Sequence, residues 1–283
     1  MAIILEGKPV ALEVKESVKV EVEKLKRKNI SVCLAVILVG DDPASQVYVR
    51  NKKKACDEVG IRSKEFILSK EASQETLLEL IKNLNEDESV NGILVQLPLP
   101  EGFCEKEIIN AIAPEKDVDA FSPVNVGKIM LNEYKLLPCT PAGVMEILKY
   151  YNIDVAGKDC VVVGRSSIVG KPMSMLLLHA NGTVTTAHSK TKNLKEITSK
   201  ADILVAAAGK PKFITKDMVK DGAVVLDVGI NRVDGRLCGD VDFENVREVA
   251  SAITPVPGSV GLTTVAMLMK NTMIATKLQY NIK

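Results

Sequence analysis

The sequence has little that could bind a metal or form disulfides. Its six cysteines are scattered singly without a Cys-x-x-Cys pair, and its two histidines, His179 and His188, belong to no His-Glu-x-x-His motif. Zinc sites draw their ligands from such short spacings, so we expect no metal site. Several cysteines lie inside apolar, strand-like runs, which is typical of reduced thiols in a cytosolic core. We therefore expect a cytoplasmic protein.

An excess of charge of one sign and long hydrophobic runs are also missing. The 37 basic residues nearly balance the 36 acidic ones, and a net charge of +1 provides no overall attraction to nucleic acid or to an anionic membrane. No apolar run approaches the roughly 18 residues of a membrane span, and Glu6 and Lys8 interrupt the short apolar patch at the start. We expect no nucleic acid and no membrane as partner, and neither a signal peptide nor a transmembrane helix.

What the sequence does contain is an alternation of short β-branched runs with amphipathic helical stretches. This pattern predicts an α/β fold with parallel sheets and crossover helices. The 283 residues are roughly twice the usual size of a single domain, so two domains are expected, although one α/β barrel of about 250 residues is an alternative. No internal repeat or low-complexity tract interrupts the pattern.

The first half is predicted to hold three strands with intervening helices. Val10, Val14, Val18 and Val22 recur at helical spacing, which predicts a helix before Asn29. The further elements predicted in this half are a strand at 33–40, a helix at 43–59 that Gly60 stops, a strand at 62–68, a helix at 73–84 and a strand at 92–98. These make up a predicted N-terminal three-layer α/β domain, residues 1–139.

The second half reads as a Rossmann-type, doubly wound domain over residues 140–260. Its predicted strands begin near residues 160, 183, 202 and 223. Thr140 is expected to cap the first helix of this half, with Pro141 at the first helical position. The last helix, about 261–283, is expected to pack back on the first domain. The loop at 254–261 reads as a shaped loop that lines a site.

A strand followed by Gly164-Arg165-Ser166-Ser167-Ile168-Val169-Gly170 suggests a phosphate-binding turn at a helix N-terminus. The match to Gly-x-Gly-x-x-Gly is incomplete because Ser166 stands where the second glycine is usual. A tight turn without a ligand is the alternative. The predicted cofactor-binding residues are Gly164, Arg165, Ser166, Ile168, Val169, Gly170, Ser189 and Ile230.

The end of the next strand favours NADP over NAD. NAD sites usually carry an acidic residue there to hold the ribose 2′-hydroxyl, but this chain reads Ala187-His188-Ser189-Lys190. A hydroxyl and a cation, together with Arg165, would suit a 2′-phosphate. Taken alone, His188 could be a loop imidazole and Lys190 a solvated surface charge.

Candidate chemistry in the first half begins with Tyr48 and Lys52, which helical spacing places on one face. A packing tyrosine and an exposed lysine are the alternative. Gln96 lies near the carboxyl end of a strand, where ligands bind in open α/β sheets. Asp117 and Asp119 precede a chain reversal and either cap turns or serve the site.

Together these passages resemble the bifunctional methylenetetrahydrofolate dehydrogenase/cyclohydrolase family over nearly the whole chain. They are Tyr48 with Lys52, VQLPLP at 95–100, PEKDVDAF at 114–121, GRSSIVGKP at 164–172 and PVPGSVG at 255–261. The resemblance implies oxidation of 5,10-methylenetetrahydrofolate by NADP, followed by hydrolysis of the 5,10-methenyl cation to 10-formyltetrahydrofolate. It also implies a homodimer.

The resemblance assigns roles by position. Lys52 would be the central acid/base group, Tyr48 would pack on the folate rings, Gln96 would bond Lys52 and Asp119 would hold the pterin. The implied substrate-binding residues are Tyr48, Lys52, Gln96, Leu97, Pro98, Asp119, Pro257, Gly258 and Gly261. A lysine in a partly dry cleft loses proton affinity, which suits proton transfer during hydrolysis.

The chain departs from the family pattern at several positions. The family usually reads Pro-Gly-Gly-Val-Gly-Pro-Met-Thr in the late loop, where this chain has Ser259, Leu262 and Thr263, and Ala120 stands where glycine is common. Ser259 could disturb a close backbone approach or a positive φ. The altered loop leaves one alternative, a nucleotide-sensing homologue that has lost one or both activities. The other alternative is an NADP dehydrogenase of similar build for hydroxy or amino acids, against which Gln96-Leu97-Pro98 and the Tyr48/Lys52 pair argue.

Overall fold

The computed structural model describes residues 2–282, with every side chain in that range except that of Ala44. The chain divides into two compact units. The six-stranded unit comprises the described residues up to Ala11 together with Thr140–Thr264, and the three-stranded unit comprises Leu12–Cys139 and the described residues from Val265 onward. The sequence-based division instead assigned the first eleven residues to the N-terminal domain.

Eleven strands are found in the described residues. In chain order they are β1 (Ile3–Ile4), β2 (Cys33–Val39), β3 (Arg62–Leu68), β4 (Gly92–Val95), β5 (Asp159–Val163), β6 (Thr183–Ala187), β7 (Ile203–Ala206), β8 (Val224–Asp227), β9 (Asn231–Val233), β10 (Arg236–Cys238) and β11 (Ala252–Ile253).

Ten α-helices accompany these strands within residues 2–282. They are α1 (Gly7–Arg27), α2 (Pro43–Val59), α3 (Gln74–Glu86), α4 (Glu105–Ala111), α5 (Pro123–Met130), α6 (Cys139–Tyr150), α7 (Gly170–His179), α8 (Leu194–Thr198), α9 (Phe243–Val246) and α10 (Val260–Gln279). None of these described helices has the length and apolar character needed to cross a membrane.

The three-stranded unit is built on β2, which pairs in parallel with β3 on one side and with β4 on the other. Every residue of β2 is buried, as expected for a continuous apolar strand that is covered on both faces. Helix α2 follows directly: the Asp42 side chain accepts a hydrogen bond from Ser45 N at 2.7 Å, and Gly60 ends the helix in a left-handed conformation. This helix carries Tyr48 and Lys52.

Residues of α10 from Val265 onward belong to the same unit as the first-half strands. The buried Asn271 donates from Nδ2 to the carbonyl oxygens of Val118 at 2.8 Å and Leu137 at 2.7 Å. Near the helix end, Gln279 Nε2 donates to Asn91 O at 3.0 Å. Buried amides need partners, and these bonds join α10 to the segments that follow α3, α4 and α5.

The six-stranded unit is a parallel sheet with the order β1-β11-β8-β7-β5-β6. Strand β5 pairs with β6 on one side and with β7 on the other, so the direction of the strand order reverses at β5. Ligands of open α/β sheets bind at such a point, outside the carboxyl ends of the strands. The predicted α/β class with a Rossmann-type sheet is confirmed, and two separate open sheets exclude the barrel.

The structure adds elements that the sequence pattern did not predict. Strands β1 and β11 contain two residues each and pair with each other in parallel, which joins the first residues of the chain to the six-stranded sheet. Strands β9 and β10 form an antiparallel hairpin around Asp234-Gly235. Helix α6 begins at Cys139, so Thr140 lies in its first turn rather than at the cap.

The late loop accommodates the serine that departs from the family pattern. The left-handed backbone conformation, with φ of 124°, falls on Gly258 and not on Ser259. Ser259 is buried, and its Oγ donates to Leu5 O at 2.6 Å. Leu262 is 45% exposed, and the buried Thr263 donates from Oγ1 to Val260 O at 3.0 Å. None of the three departures leaves a buried polar side-chain atom without a hydrogen-bond partner among the described residues.

Ser259→Ala is expected to lower the free energy of unfolding by about 1 kcal/mol, because a buried hydroxyl–carbonyl bond would be lost. The exposed Ser251 is a suitable control, since its hydroxyl bonds Ala223 O at 3.3 Å where water can replace it. Urea denaturation of wild type, Ser259→Ala and Ser251→Ala measures both changes. Equal stability of all three proteins would contradict this account of Ser259.

Candidate active site

Lys52 and Gln96 form the centre of the site in the three-stranded unit. Lys52 Nζ donates to Gln96 Oε1 at 2.8 Å. Gln96 directly follows β4, and its backbone N–H donates to Ile37 O at 2.8 Å, which continues the pairing with β2. Its Nε2 donates to Leu97 O at 2.6 Å, so the amide nitrogen has a partner and the oxygen faces the lysine. The next peptide bond, Leu97–Pro98, is cis.

Tyr48 lies one helical turn before Lys52 and is 37% exposed. A tyrosine that only packed in the core would be buried. The exposed ring on the helix face of Lys52 offers a surface on which a flat, partly apolar ligand can stack.

The two aspartates of the PEKDVDAF passage have different surroundings. Asp117 is buried, and its Oδ2 accepts from Ser122 N at 2.8 Å and Asn125 Nδ2 at 3.0 Å, so this residue orders the turn. Asp119 is partly buried and contacts the thiol of Cys139, with 3.8 Å between Oδ1 and Sγ. Of the two, Asp119 is the carboxyl whose pKa the Lys52 charge affects.

The pKa values of Lys52 and Asp119 move towards each other. Burial lowers the pKa of Lys52, and the nearby Asp119 carboxylate opposes this shift only in part. Burial also raises the pKa of Asp119 to about 6, against the opposing effect of the Lys52 charge. Both shifts reduce the difference in proton affinity between the amine and the carboxyl, which favours proton transfer at this site.

Cys139 and Asn271 are members of this site that no sequence motif indicated. Cys139 is buried, and burial together with the Asp119 charge raises its thiol pKa well above the usual value, so the thiol remains a proton donor. Asn271 Nδ2 lies 3.6 Å from Cys139 Sγ. The only signal in the sequence was a cysteine next to the expected domain boundary.

Ala120 explains why glycine is common in the family at this position. Its φ is 55°, its side chain is fully buried, and its N–H donates to Asp117 O at 3.0 Å. Left-handed backbone costs an L-residue roughly 1–2 kcal/mol, a cost that glycine would avoid at this position.

In the six-stranded unit, Gly164 and Gly170 close the turn after β5. Gly164 has φ of 144°, and a Cβ on it would lie 2.1 Å from Ala207 O. A Cβ on Gly170 would lie 2.3 Å from Gly164 O. Only glycine fits at either position, so β5, the turn and the N-terminus of α7 approach each other as closely as the phosphate-binding fingerprint requires.

The other predicted cofactor residues lie around this turn or at neighbouring strand ends. Ser166 Oγ accepts from Val169 N at 3.2 Å and from Gly170 N at 3.3 Å, so its hydroxyl satisfies two N–H groups at the start of α7. Arg165 is exposed and Ile168 is 37% exposed. The side chains of Arg165 and Ile168 therefore lie at the surface of the six-stranded unit.

After β6, the sequence-predicted loop is ordered by its own side chains. His188 Nδ1 accepts from Lys190 N at 3.2 Å, and His188 N donates to Thr191 Oγ1 at 2.8 Å. Ser189 and the Lys190 side chain are exposed. Ile230, which follows β8, is 50% exposed. In the late loop, Gly258 O accepts from Gly7 N at 3.0 Å.

Comparisons with known proteins agree on one family. The catalytic domain of tetrahydrofolate dehydrogenase/cyclohydrolase matches residues 5–119, and the NAD(P)-binding domain of the same family matches residues 138–280. The bifunctional protein FolD of Acetivibrio thermocellus is 60% identical over 281 residues, which are 99% of each chain.

Solved structures give the same result. The bifunctional FolD of Campylobacter jejuni is 51% identical, with a TM-score of 0.96 over 98% of this chain and 99% of that one. The Trypanosoma brucei FolD, determined with NADP and an inhibitor, is 39% identical, with a TM-score of 0.94 over 99% of this chain and 98% of that one. The chain therefore belongs to the tetrahydrofolate dehydrogenase/cyclohydrolase family.

Proposed function

We propose that Lys52 is the acid/base group of a bifunctional enzyme. The enzyme oxidises 5,10-methylenetetrahydrofolate with NADP to the 5,10-methenyl cation and hydrolyses that cation to 10-formyltetrahydrofolate. Family membership confirms the predicted dehydrogenase and cyclohydrolase activities and NADP as the cofactor. The observation that carries the role of Lys52 is its bond to Gln96 in surroundings that lower its pKa.

In the hydrolytic step, burial lowers the pKa of Lys52 and so favours its neutral amine more than water would. The amine accepts a proton from water as the water oxygen bonds to the methenyl carbon. The resulting ammonium then returns this proton to the ring nitrogen as the bond between that nitrogen and the carbon breaks. The remaining hydroxyl proton passes to solvent as the formyl C=O forms, so the net products are 10-formyltetrahydrofolate and one proton. Gln96 Oε1 holds the lysine in one orientation through both transfers.

Asp119 and Tyr48 are proposed to hold the folate. The 2-amino group and ring N–H of a pterin are donors that a carboxylate accepts well, and Asp119 is the carboxyl next to Lys52. Tyr48 supplies the exposed ring for stacking. The substrate contacts of Leu97, Pro98, Pro257, Gly258 and Gly261 remain predictions from the family resemblance.

NADP supplies the hydride acceptor, and the protein's task is to bind and orient it. We propose that Gly164, Ser166 and Gly170, with the backbone of Ile168 and Val169, receive the pyrophosphate. Arg165 and Ser189 would bind the 2′-phosphate, and Ile230 would supply an apolar contact. Exposed cations and hydroxyls, with no acid after β6, support a phosphorylated ribose.

The roles of the two domains, the cellular location, the partners and the homodimer belong to the same proposal. The N-terminal domain, residues 1–139 with the helix at about 261–283, would bind substrate, and residues 140–260 would bind NADP. Single cysteines without disulfides support a cytoplasmic location, and the balanced charge supports the expectation of neither nucleic acid nor a membrane as partner. The homodimer rests on the family resemblance, and sedimentation equilibrium tests it.

Lys52→Met is expected to reduce hydrolysis of 5,10-methenyltetrahydrofolate by about 100-fold or more, since the group that moves protons would be lost. Folate binding should change much less. Lys53→Met is the matched control, because Lys53 is exposed and pairs with Glu65 at 2.9 Å. Loss of the methenyl absorbance gives the rate. A Lys52→Met rate equal to that of Lys53→Met would refute the role of Lys52.

Arg165→Ala is expected to raise the KM for NADP about tenfold or more, because a charge-assisted bond to the 2′-phosphate would be lost. The KM for NAD should stay nearly unchanged. The control is Lys158→Ala, which removes an exposed cation before β5. Reduced-cofactor absorbance gives both constants. Equal losses with NADP and NAD would show that Arg165 does not read the 2′-phosphate.

The Asp119 carboxyl is expected to titrate with a pKa of about 6, so it is neutral below that pH and charged above it. Lys52→Met should raise this pKa further, because the lysine charge favours the carboxylate. Carbon-13 NMR of aspartate-labelled protein follows the titration, with Lys53→Met as the unshifted control. A midpoint near the ordinary value of 3.8 would contradict the assignment.

A further inference from the structure

A second buried carboxylate lies in the six-stranded unit, outside every motif discussed above. Asp240 is fully buried. Its Oδ2 accepts from Ala208 N at 2.6 Å and Gly209 N at 2.8 Å, and its Oδ1 accepts from Lys210 N at 2.9 Å and Asn231 Nδ2 at 2.8 Å. Three consecutive backbone N–H groups and one side-chain amide thus converge on one carboxylate.

Asp240 is itself held by another buried carboxylate. Asp227, the last residue of β8, accepts from Asp240 N at 2.9 Å through Oδ1 and from Val241 N at 2.9 Å through Oδ2. The backbone of Asp240 is therefore tied to a sheet strand. A carboxylate placed in this way defines where residues 208–210 must lie.

Residues 208–210 follow β7 and adjoin the turn after β5. Ala207 N donates to Val163 O at 2.8 Å, and Ala207 O is the atom that a Cβ on Gly164 would meet at 2.1 Å. The carbonyl that packs directly against Gly164 in the phosphate-binding turn therefore belongs to Ala207, the residue just before the segment that Asp240 holds. Displacement of this segment would move the Ala207 carbonyl that packs against Gly164.

We propose that Asp240 is a positioning residue for NADP binding: its carboxylate fixes the segment 207–210 against the turn at Gly164. The inference rests on the proposed cofactor site. Four converging donors require an acceptor with two oxygens and several lone pairs, which only a carboxylate supplies here. An asparagine would keep one oxygen for two donors and turn an amide N–H towards the other two.

The test compares NADP affinity with hydrolysis of 5,10-methenyltetrahydrofolate, assayed without cofactor, for wild type, Asp240→Asn and Asp240→Ala. Calorimetric titration gives the Kd. We expect Asp240→Ala to raise the Kd for NADP about tenfold or more, since small misplacements of a binding element are costly, and Asp240→Asn to lie between it and wild type. Hydrolysis should stay within about twofold of wild type, because its proton-transfer residues Lys52 and Gln96 lie in the three-stranded unit.

Asp202→Asn is the matched control. Asp202 also accepts a backbone N–H, that of Asp159 at 3.0 Å, but it lies before β7 at the amino edge of the same sheet. It should leave both readouts unchanged. Should Asp240→Ala fail to fold, Asn231→Ala removes one donor to the same carboxylate and is expected to raise the Kd about threefold.

The outcomes separate this inference from the proposed function. An unchanged NADP Kd in Asp240→Ala, or in Asn231→Ala where that variant is used, would overturn it. A parallel loss of NADP binding and hydrolysis would also overturn it, because that result indicates general destabilisation. If wild type itself did not bind NADP, the proposed cofactor site would fail first. Selective loss of NADP affinity, graded from Asn to Ala, supports the role of Asp240.

Discussion

Parallel pairing of the strands is the constraint on which each functional cluster depends. In a parallel sheet all carboxyl ends lie at one edge, so residues that follow different strands become neighbours. Gln96 follows β4 in the three-stranded unit and meets Lys52 from α2. In the six-stranded unit, Gly164 follows β5 and meets Ala207, which follows β7. The chemistry of each unit is thus concentrated at one edge of its sheet.

Partial burial then decides what the side chains at these edges can do. A solvated lysine stays charged at neutral pH, but burial lowers the pKa of Lys52, and burial of Asp119 raises its pKa to about 6. Each group opposes the shift of the other because opposite charges stabilise one another. Gln96 adds orientation rather than charge. The pair is therefore reactive through its surroundings, although neither residue type is unusual.

The six-stranded unit uses buried carboxylates for a different purpose. Asp227 and Asp240 accept bonds mainly from backbone N–H groups of loops that have no regular partners. Such bonds replace the solvation that burial removes, and they give irregular segments a defined shape. The late loop follows the same principle, since the hydroxyl of Ser259 satisfies the carbonyl of Leu5. A departure from the family pattern is thus absorbed locally.

The sequence by itself determined the α/β class, most long elements, the family and the candidates Tyr48, Lys52, Gln96 and Asp119. Periodicity is a property of short stretches and the order of motifs is a property of the linear sequence, so both can be recognised without knowledge of the fold. Short strands such as β1 and β11 could not be predicted because two residues carry no periodic signal. Their pairing also joins residues about 250 positions apart. The hairpin does carry a local signal, because Asp-Gly is a dipeptide typical of its turn.

Only the tertiary structure decided the geometry of the expected polar residues and which further residues join them. It distinguished Asp117, which orders a turn, from Asp119, whose charge interacts with that of Lys52. It also brought Cys139 and Asn271 into the first cluster and assembled Asp240 with the loop after β7. Burial and hydrogen-bond convergence arise from contacts between distant segments. The residue types were therefore legible in the sequence, whereas their pKa shifts and partners followed from the packed sheet edges.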